Sequence, residues 1–162
     1  MARTIPKISA VVVFLLLLAT MWCGCTGNIL QHQYHHITQE GWLRSDTLSF
    51  NIPEPEENGF YKVRFEMRTA PTFKYSQLWI AYDFRTNIPY RLVSDTICFT
   101  TGTSGDNKLG GKGVTHRNFT TESVEIFLHQ GQRGDLIVRH IMAEEPISEI
   151  TEIGVKVYRC KE

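Results

Sequence analysis

YKVRFEMR, residues 61–68, carries the clearest β-strand pattern of this 162-residue chain. Apolar and charged side chains alternate along it without interruption. Because successive side chains of a strand point to opposite faces, the stretch predicts one apolar face and one charged face. A strand of this kind is typical of an antiparallel sheet that packs one side against a core and turns the other to water.

The same alternation recurs along the chain and predicts its fold class. Further apolar rows with period two occupy residues 48–52, 78–84, 124–128 and 153–157. Turn-forming segments rich in Pro, Gly and Asn separate them, and no stretch of ten residues after the N-terminal region holds a helical period. We therefore expect an all-β domain at residues 40–162, a single antiparallel β-sandwich of jelly-roll-like type.

The N-terminus has the layout of a cleaved lipoprotein signal peptide. Arg3 and Lys7 form a basic start, an apolar run follows at residues 10–19, and Gly24 precedes Cys25. A cysteine at the cleavage point is the acceptor of a diacylglyceryl group. We therefore predict a signal peptide at residues 1–24, lipidation of Cys25, and membrane attachment through that lipid.

Two other readings of this region remain open. A retained membrane helix needs about 20 apolar residues, which is more than this run provides. An ordinary cleaved signal without lipid is the second reading, because Trp22 and Cys23 are unusual before a lipidated cysteine. If the signal is cleaved, with or without a lipid on Cys25, we interpret the mostly polar residues 25–39 as a tether that leads into a first edge strand.

Composition narrows the functional classes. Removal of residues 1–24 leaves 138 residues with 15 Lys+Arg and 17 Asp+Glu, so the mature chain is nearly neutral. This balance argues against nucleic acid as a partner and against a basic membrane-binding patch. Besides Cys25, this chain keeps Cys98 and Cys160, which form either a disulfide in an oxidising compartment or two separate buried thiols.

No group of residues assembles a catalytic or metal site from the sequence alone. His32, His35 and His36 lie in a tether or edge strand, where neighbouring side chains point to opposite sides. The stretch GDNKLGGK at residues 105–112 lacks the Lys-Ser/Thr ending and the following helix of a phosphate loop. The carboxylates cluster beside prolines in predicted loops. We therefore predict no catalytic residues, no metal and no cofactor.

Aromatic residues are the remaining candidates for ligand contact. Trp42 and Trp79, with Tyr75 and Tyr90, would suit a platform on which the apolar face of a sugar stacks. Packing in the core or at a sheet edge is the alternative role for such rings. Trp79 lies on the face of its strand opposite the row that contains Leu78, so it points away from that row.

Several motifs, in order along the chain, resemble the gliding-motility lipoprotein GldH family of Bacteroidota. They are YHHI at residues 34–37, WLRSDTLSF at 42–50, VRFEMR at 63–68, YSQLWI at 75–80, LGGKG at 109–113 and ITEIGVKV at 150–157. The resemblance implies a lipid-anchored accessory protein linked to gliding and to the associated protein export machinery. It implies no enzymatic activity and no catalytic residues.

These observations lead to two functional hypotheses. The first is a non-enzymatic, lipid-anchored protein that binds another envelope protein through a sheet face or the glycine-rich loop. The second is a lipid-anchored module that binds a glycan. The residues after Cys25 lack the acidic run of surface-exported lipoproteins of that phylum, so we expect the periplasmic face of the outer membrane.

Overall fold

The computed structural model describes residues 29–102 and 115–160, and within them the chain forms nine β-strands and no helix. These residues therefore contain no helix long and apolar enough to cross a membrane. The strands are β1 (Ile29–His36), β2 (Leu48–Ile52), β3 (Gly59–Thr69), β4 (Gln77–Thr86), β5 (Arg91–Thr100), β6 (Arg117–Thr120), β7 (Val124–Leu128), β8 (Gly134–His140) and β9 (Ile150–Arg159). The predicted all-β class is confirmed.

The strands form two antiparallel sheets. In the five-stranded sheet the order is β1-β9-β3, and both β6 and β7 pair with the remaining edge of β3. In the four-stranded sheet the order is β2-β8-β4-β5. The chain changes sheet at every connection except β4–β5 and β6–β7. This alternation is the topology of a jelly roll, so the predicted antiparallel sandwich is confirmed.

Strand β3 occupies the middle of the five-stranded sheet, and its inward row builds the core. Tyr61, Val63, Phe65 and Met67 are all buried, while the charged side chains between them are only half-buried. The ring of Phe65 lies 5.1 Å from the ring of Tyr82 on β4, so this contact joins the two sheets. Burying one side chain of this size stabilises a fold by about 1.5–3 kcal/mol.

The boundary predicted between tether and domain is wrong. Residues 25–39 were expected to form a tether, yet Ile29–His36 form strand β1, which pairs with β9. The backbone continues this pairing at Ile37, whose N–H donates to Thr151 O at 2.9 Å. Because β1 is an edge strand covered on one side only, its sequence is polar and resembles a tether. The folded part of the described chain begins at Ile29.

Antiparallel pairing places the connections at two ends of the sandwich. The N-terminal end contains the start of β1 and the connections at residues 53–58, 87–90 and 129–133. The opposite end contains the connections at residues 37–47, 70–76 and 141–149. Ion pairs and hydrogen bonds such as Arg133 Nε to Glu54 Oε1, at 2.6 Å, tie the connections of the N-terminal end together.

Candidate functional site

The predicted lipid acceptor and the glycine-rich loop lie outside the described residues. Cys25 precedes the first described residue, Ile29, by four positions. The motif at residues 109–113 lies within the gap at 103–114. What the structure adds for Cys25 is the position of the strand that follows it, because β1 starts at the N-terminal end of the sandwich.

Cys98 and Cys160 are free thiols, so of the two alternatives, a disulfide or two separate thiols, the disulfide is not formed. Cys98 lies in β5 of the four-stranded sheet, next to Trp79 of β4 and close to the opposite end. Cys160 follows β9 of the other sheet, and its N–H donates to Phe60 O at the N-terminal end. The thiols therefore occupy different sheets and different ends, which is incompatible with the short Cα separation of a disulfide. Burial raises the pKa of the Cys98 thiol.

Trp42 is fully buried, so the prediction that it faces a ligand is wrong. Its indole N–H donates to Asp46 O at 2.9 Å, and its backbone forms a bridge with Ile147. Its ring meets the ring of His140 at 5.3 Å, and burial lowers the pKa of that histidine. Trp42 thus fixes the connection at residues 37–47 onto the core.

Trp79 is exposed on the outer face of the four-stranded sheet, at the opposite end, with 42% of its surface accessible. Its backbone is held by the segment directly after β8, since its carbonyl accepts from Ile141 N at 3.0 Å and its N–H points at Met142 Sδ at 3.4 Å. Ile141 is exposed beside it. Trp79, Ile141 and the exposed Leu43 are the large apolar residues exposed at this end among those described, and we call them the Trp79 surface.

The four aromatic residues considered as a sugar platform do not come together. Trp42 is inside the fold, and Tyr90 is exposed at the N-terminal end, in the turn between β4 and β5. Tyr75 is half-buried against Phe73, with ring centroids 5.3 Å apart. Only Trp79 presents its ring on an outer sheet face at the opposite end.

A polar network that the sequence did not reveal covers the outer face of the five-stranded sheet. The hydroxyl of Tyr34 donates to Glu66 Oε2, and His32 Nε2 lies 3.0 Å from the same oxygen. The guanidinium of Arg68 lies 4.3 Å from the centroid of the Tyr34 ring and bonds Glu152 Oε2 at 2.5 Å. Three strands, β1, β3 and β9, are joined by these contacts.

The network shifts the pKa values of its members. Burial raises the pKa of Tyr34 to about 12, and the neighbouring Glu66 carboxylate adds to this effect. Burial alone would raise the pKa of Glu66 as well. The hydrogen bonds with Tyr34 and His32 favour its charged form and outweigh burial, so the pKa of Glu66 is lowered. Glu66 is thus a carboxylate and Tyr34 a neutral phenol near neutral pH, and the one proton between them is on Tyr34.

Gly154 provides the room for this network. A Cβ atom on Gly154 would lie 2.5 Å from two carbons of the Tyr34 ring, so any side chain there would displace the ring. Tyr34 and Gly154 are paired across β1 and β9. They belong to the first and last of the motifs quoted above, and the fold brings these two motifs together.

The three histidines of β1 do not share a site. His32 contacts Glu66, whereas His35 is on the inner side, where its Nε2 lies 2.8 Å from Ser49 O and its ring packs on Phe50. Among residues 29–102 and 115–160, no three His, Cys, Asp or Glu side chains are grouped so that they would hold a metal ion.

An apolar cleft of about 310 Å³ opens between the edges of the two sheets, towards the N-terminal end. Its apolar walls come from both sheets, with Phe84 and Val93 on one side and Ile126 and Phe127 on the other. The polar residues of its lining are Thr86, Arg91, Glu125, His129 and Gln132. Its lining suits an apolar group and offers no paired acid and base.

Comparisons with solved structures find distant likenesses to this fold. A protein of Sulfurospirillum deleyianum has a TM-score of 0.44 and 10% identity, over 82% of this chain and 99% of that one. A family 35 carbohydrate-binding module of Clostridium thermocellum has a TM-score of 0.38 and 14% identity, over 76% and 86%. The globular domain of zebrafish complement 1qA protein has a TM-score of 0.36 and 11% identity, over 69% and 70%. We draw nothing about function from likenesses this distant.

Family comparison is more informative. No curated protein matches the chain. The model of the family described as GldH lipoprotein, however, matches residues 29–157, which spans every strand from β1 almost to the end of β9. The family resemblance seen in the sequence motifs is confirmed, and this chain belongs to the GldH lipoprotein family.

Proposed function

We propose that this protein is a non-enzymatic accessory subunit of an envelope machinery of the gliding-motility type, anchored by lipid on Cys25. Membership of a lipoprotein family supports the anchor, as does the leader at residues 1–24. The partner is another envelope protein. Trp79 carries this part of the proposal, because it is a large aromatic side chain held in a fixed, exposed position on a sheet.

The Trp79 surface has the composition of a small protein-binding centre. Tryptophan is the residue most enriched among those that dominate binding energy, and it works best when neutral contacts surround it. Ile141 supplies an apolar neighbour, and Arg139 and Asp83, 3.9 Å apart, provide a charged border on the same sheet. Because the surface is at the end remote from the start of β1, an anchored protein would present it away from its anchor.

The arrangement of the carboxylates supports a role other than catalysis. Glu54 and Glu57, which stand beside prolines, are exposed and paired with Arg133 and Arg159 at 2.6 Å each. Exposed ion pairs of this kind contribute little to stability. The apolar cleft does not bring two acidic groups together either, since its one carboxylate is Glu125.

The protein-binding proposal is tested by affinity purification of the tagged full-length protein from membranes after crosslinking. We expect an envelope protein to be recovered with the wild type and at least tenfold less of it with Trp79→Ala. Leu92→Ala is the matched control, because Leu92 is equally exposed on the outer face of the same sheet but at the other end. Recovery of no envelope protein, or equal recovery with both variants, would contradict the proposal.

A glycan is a second candidate ligand for the same surface, because an exposed indole on a flat sheet also suits stacking on a sugar. A glycan array separates the two candidates. Specific binding by the wild type that Trp79→Ala abolishes would favour the glycan, and its absence with continued protein capture would favour the protein partner.

Anchoring at the periplasmic face of the outer membrane is part of the proposal. It is supported by the absence of an acidic run in Thr26–Leu30, directly after Cys25. Protease added to intact cells should leave the protein whole, and protease added after the outer membrane is permeabilised should degrade it. Degradation on intact cells would place the domain on the cell exterior instead.

A further inference from the structure

The N-terminal end exposes several large apolar side chains. Ile88 and Tyr90, in the turn between β4 and β5, are 77% and 72% exposed. Phe60 at the start of β3 and Leu92 at the start of β5 are about half exposed at the same end. Grouped apolar exposure of this kind marks a surface that contacts a protein or a membrane.

The turn that carries Ile88 and Tyr90 is held firmly. Asn87 Oδ1 accepts from Ile88 N at 2.8 Å and from Arg133 N at 3.0 Å. The carbonyl of Pro89 accepts from Thr86 Oγ1 at 2.9 Å and from Gln132 Nε2 at 3.2 Å. Because Thr86 and the neighbouring connection at residues 129–133 hold its backbone, the turn presents its two apolar side chains outward in a defined position.

The position of the chain's N-terminal segment indicates what covers this surface. Ile29 pairs with Tyr158, and Tyr158 pairs with Lys62 near the start of β3, so Ile29 lies at the N-terminal end. Three residues separate Ile29 from Cys25, and four Cα–Cα steps reach at most about 14 Å. A lipid on Cys25 therefore holds Ile29, at this end of the sandwich, within about 14 Å of the membrane surface.

From these observations we propose that the bilayer itself is the partner of the N-terminal end, with Ile88 and Tyr90 seated in its interfacial layer. This inference rests on the lipid anchor of the proposed function. A tyrosine ring with an apolar body and a polar tip suits the headgroup level, and isoleucine suits the acyl boundary. The orientation points the Trp79 surface away from the membrane.

The charges of this end are compatible with a lipid surface. Glu54 and Glu57 are neutralised by their ion pairs with Arg133 and Arg159, so the acidic connection at 53–58 does not present its full charge. No strongly basic patch is needed either, because the lipid supplies the attachment and the apolar side chains set the orientation.

The test is tryptophan quenching in proteoliposomes of phosphatidylcholine with or without bromine on the acyl chains. The acylated mature protein contains Trp42 and Trp79, both at the opposite end and roughly 25 Å from the β4–β5 turn. Tyr90→Trp adds an indole at the proposed membrane contact, and Ile141→Trp adds one beside Trp79 as the matched control.

We expect bromine to reduce the emission added by Tyr90→Trp at least twofold, and to leave the wild type and Ile141→Trp within a tenth of their unquenched values. Equal, weak quenching of both variants would overturn the inference, as would stronger quenching at residue 141. Tyr90 is exposed, so its replacement does not disturb the core.

Mass spectrometry of the N-terminal peptide separates this inference from the function on which it rests. A lipid found on Cys25 together with no quenching at residue 90 would reject the membrane contact and leave the anchored function standing. A free Cys25 thiol in the mature protein would reject the anchor itself.

Discussion

The two ends of this sandwich differ in how their apolar residues are used. At the opposite end Trp42 is buried and fixes a long connection, while Trp79 and Ile141 form a small exposed surface on a flat sheet. At the N-terminal end Ile88 and Tyr90 project from a tight turn, at the same end of the sandwich as the start of β1, the strand that follows the predicted lipid. This difference is the basis of our proposal that one end contacts the bilayer and the other a protein partner.

Both ends depend on one core, so a substitution that disrupts this core should cause the largest loss of stability. Phe65→Ala removes a fully buried ring that packs on Tyr82 of the other sheet. We expect a loss of about 3–5 kcal/mol in the free energy of unfolding, measured in urea. Circular dichroism and Trp42 emission should report one transition, and a loss below about 1 kcal/mol would show that the two sheets do not share this core.

The region between the ends is tested through Gly154. Gly154→Ala would drive the Tyr34 ring from its place and disturb its bond to Glu66, so we expect a loss of about 1–3 kcal/mol. In a Tyr34→Ala background the same substitution should cost much less, because the clash is gone. Equal costs in both backgrounds, measured by urea unfolding, would show that the two residues are not coupled.

A pH titration distinguishes the ends through His140. Burial beside Trp42 lowers the pKa of His140 from the usual histidine value near 6.5. Below about pH 6.5 the unfolded chain therefore binds a proton that the folded chain does not bind. Stability should therefore fall as the pH drops below about 6.5. His140→Phe should flatten this dependence. Identical pH profiles for the wild type and His140→Phe would contradict this.

We expect the smallest changes in the stability of the protein from substitutions of exposed residues. Ile88→Ser and Tyr90→Ser remove side chains that lie mostly in solvent, since these residues are 77% and 72% exposed. The free energy of unfolding should change by no more than about 0.5 kcal/mol in each case. A loss above about 2 kcal/mol would mean that these residues serve the fold and not a contact at its ends.

The sequence predicted the fold best where a strand has one solvent-exposed face and one buried face. β3 meets this condition, and so does β4, where the pattern placed Trp79 away from the core as observed. β1 and β5 are edge strands with exposed residues on both faces, so their patterns are blurred. The sequence of β1 indicates a tether, and β5 contains none of the apolar rows recognised in the sequence.

The sites were harder to predict because they depend on contacts between distant parts of the chain. Nothing in the sequence near Trp42 shows that Ile147 and His140 will enclose it. The pairing of Tyr34 with Gly154 joins two residues that are 120 positions apart in the sequence. One signal was available for the membrane-facing turn, since Ile-Pro-Tyr at residues 88–90 places apolar side chains where polar ones are usual.

The most direct test of the account is photo-crosslinking in native membranes with benzoylphenylalanine at residue 79 or residue 90 of the full-length protein. The account predicts a protein adduct from residue 79 and a phospholipid adduct from residue 90, in the same membrane preparation. A phospholipid adduct from residue 79, with a protein adduct from residue 90, would show that the sandwich stands the other way round.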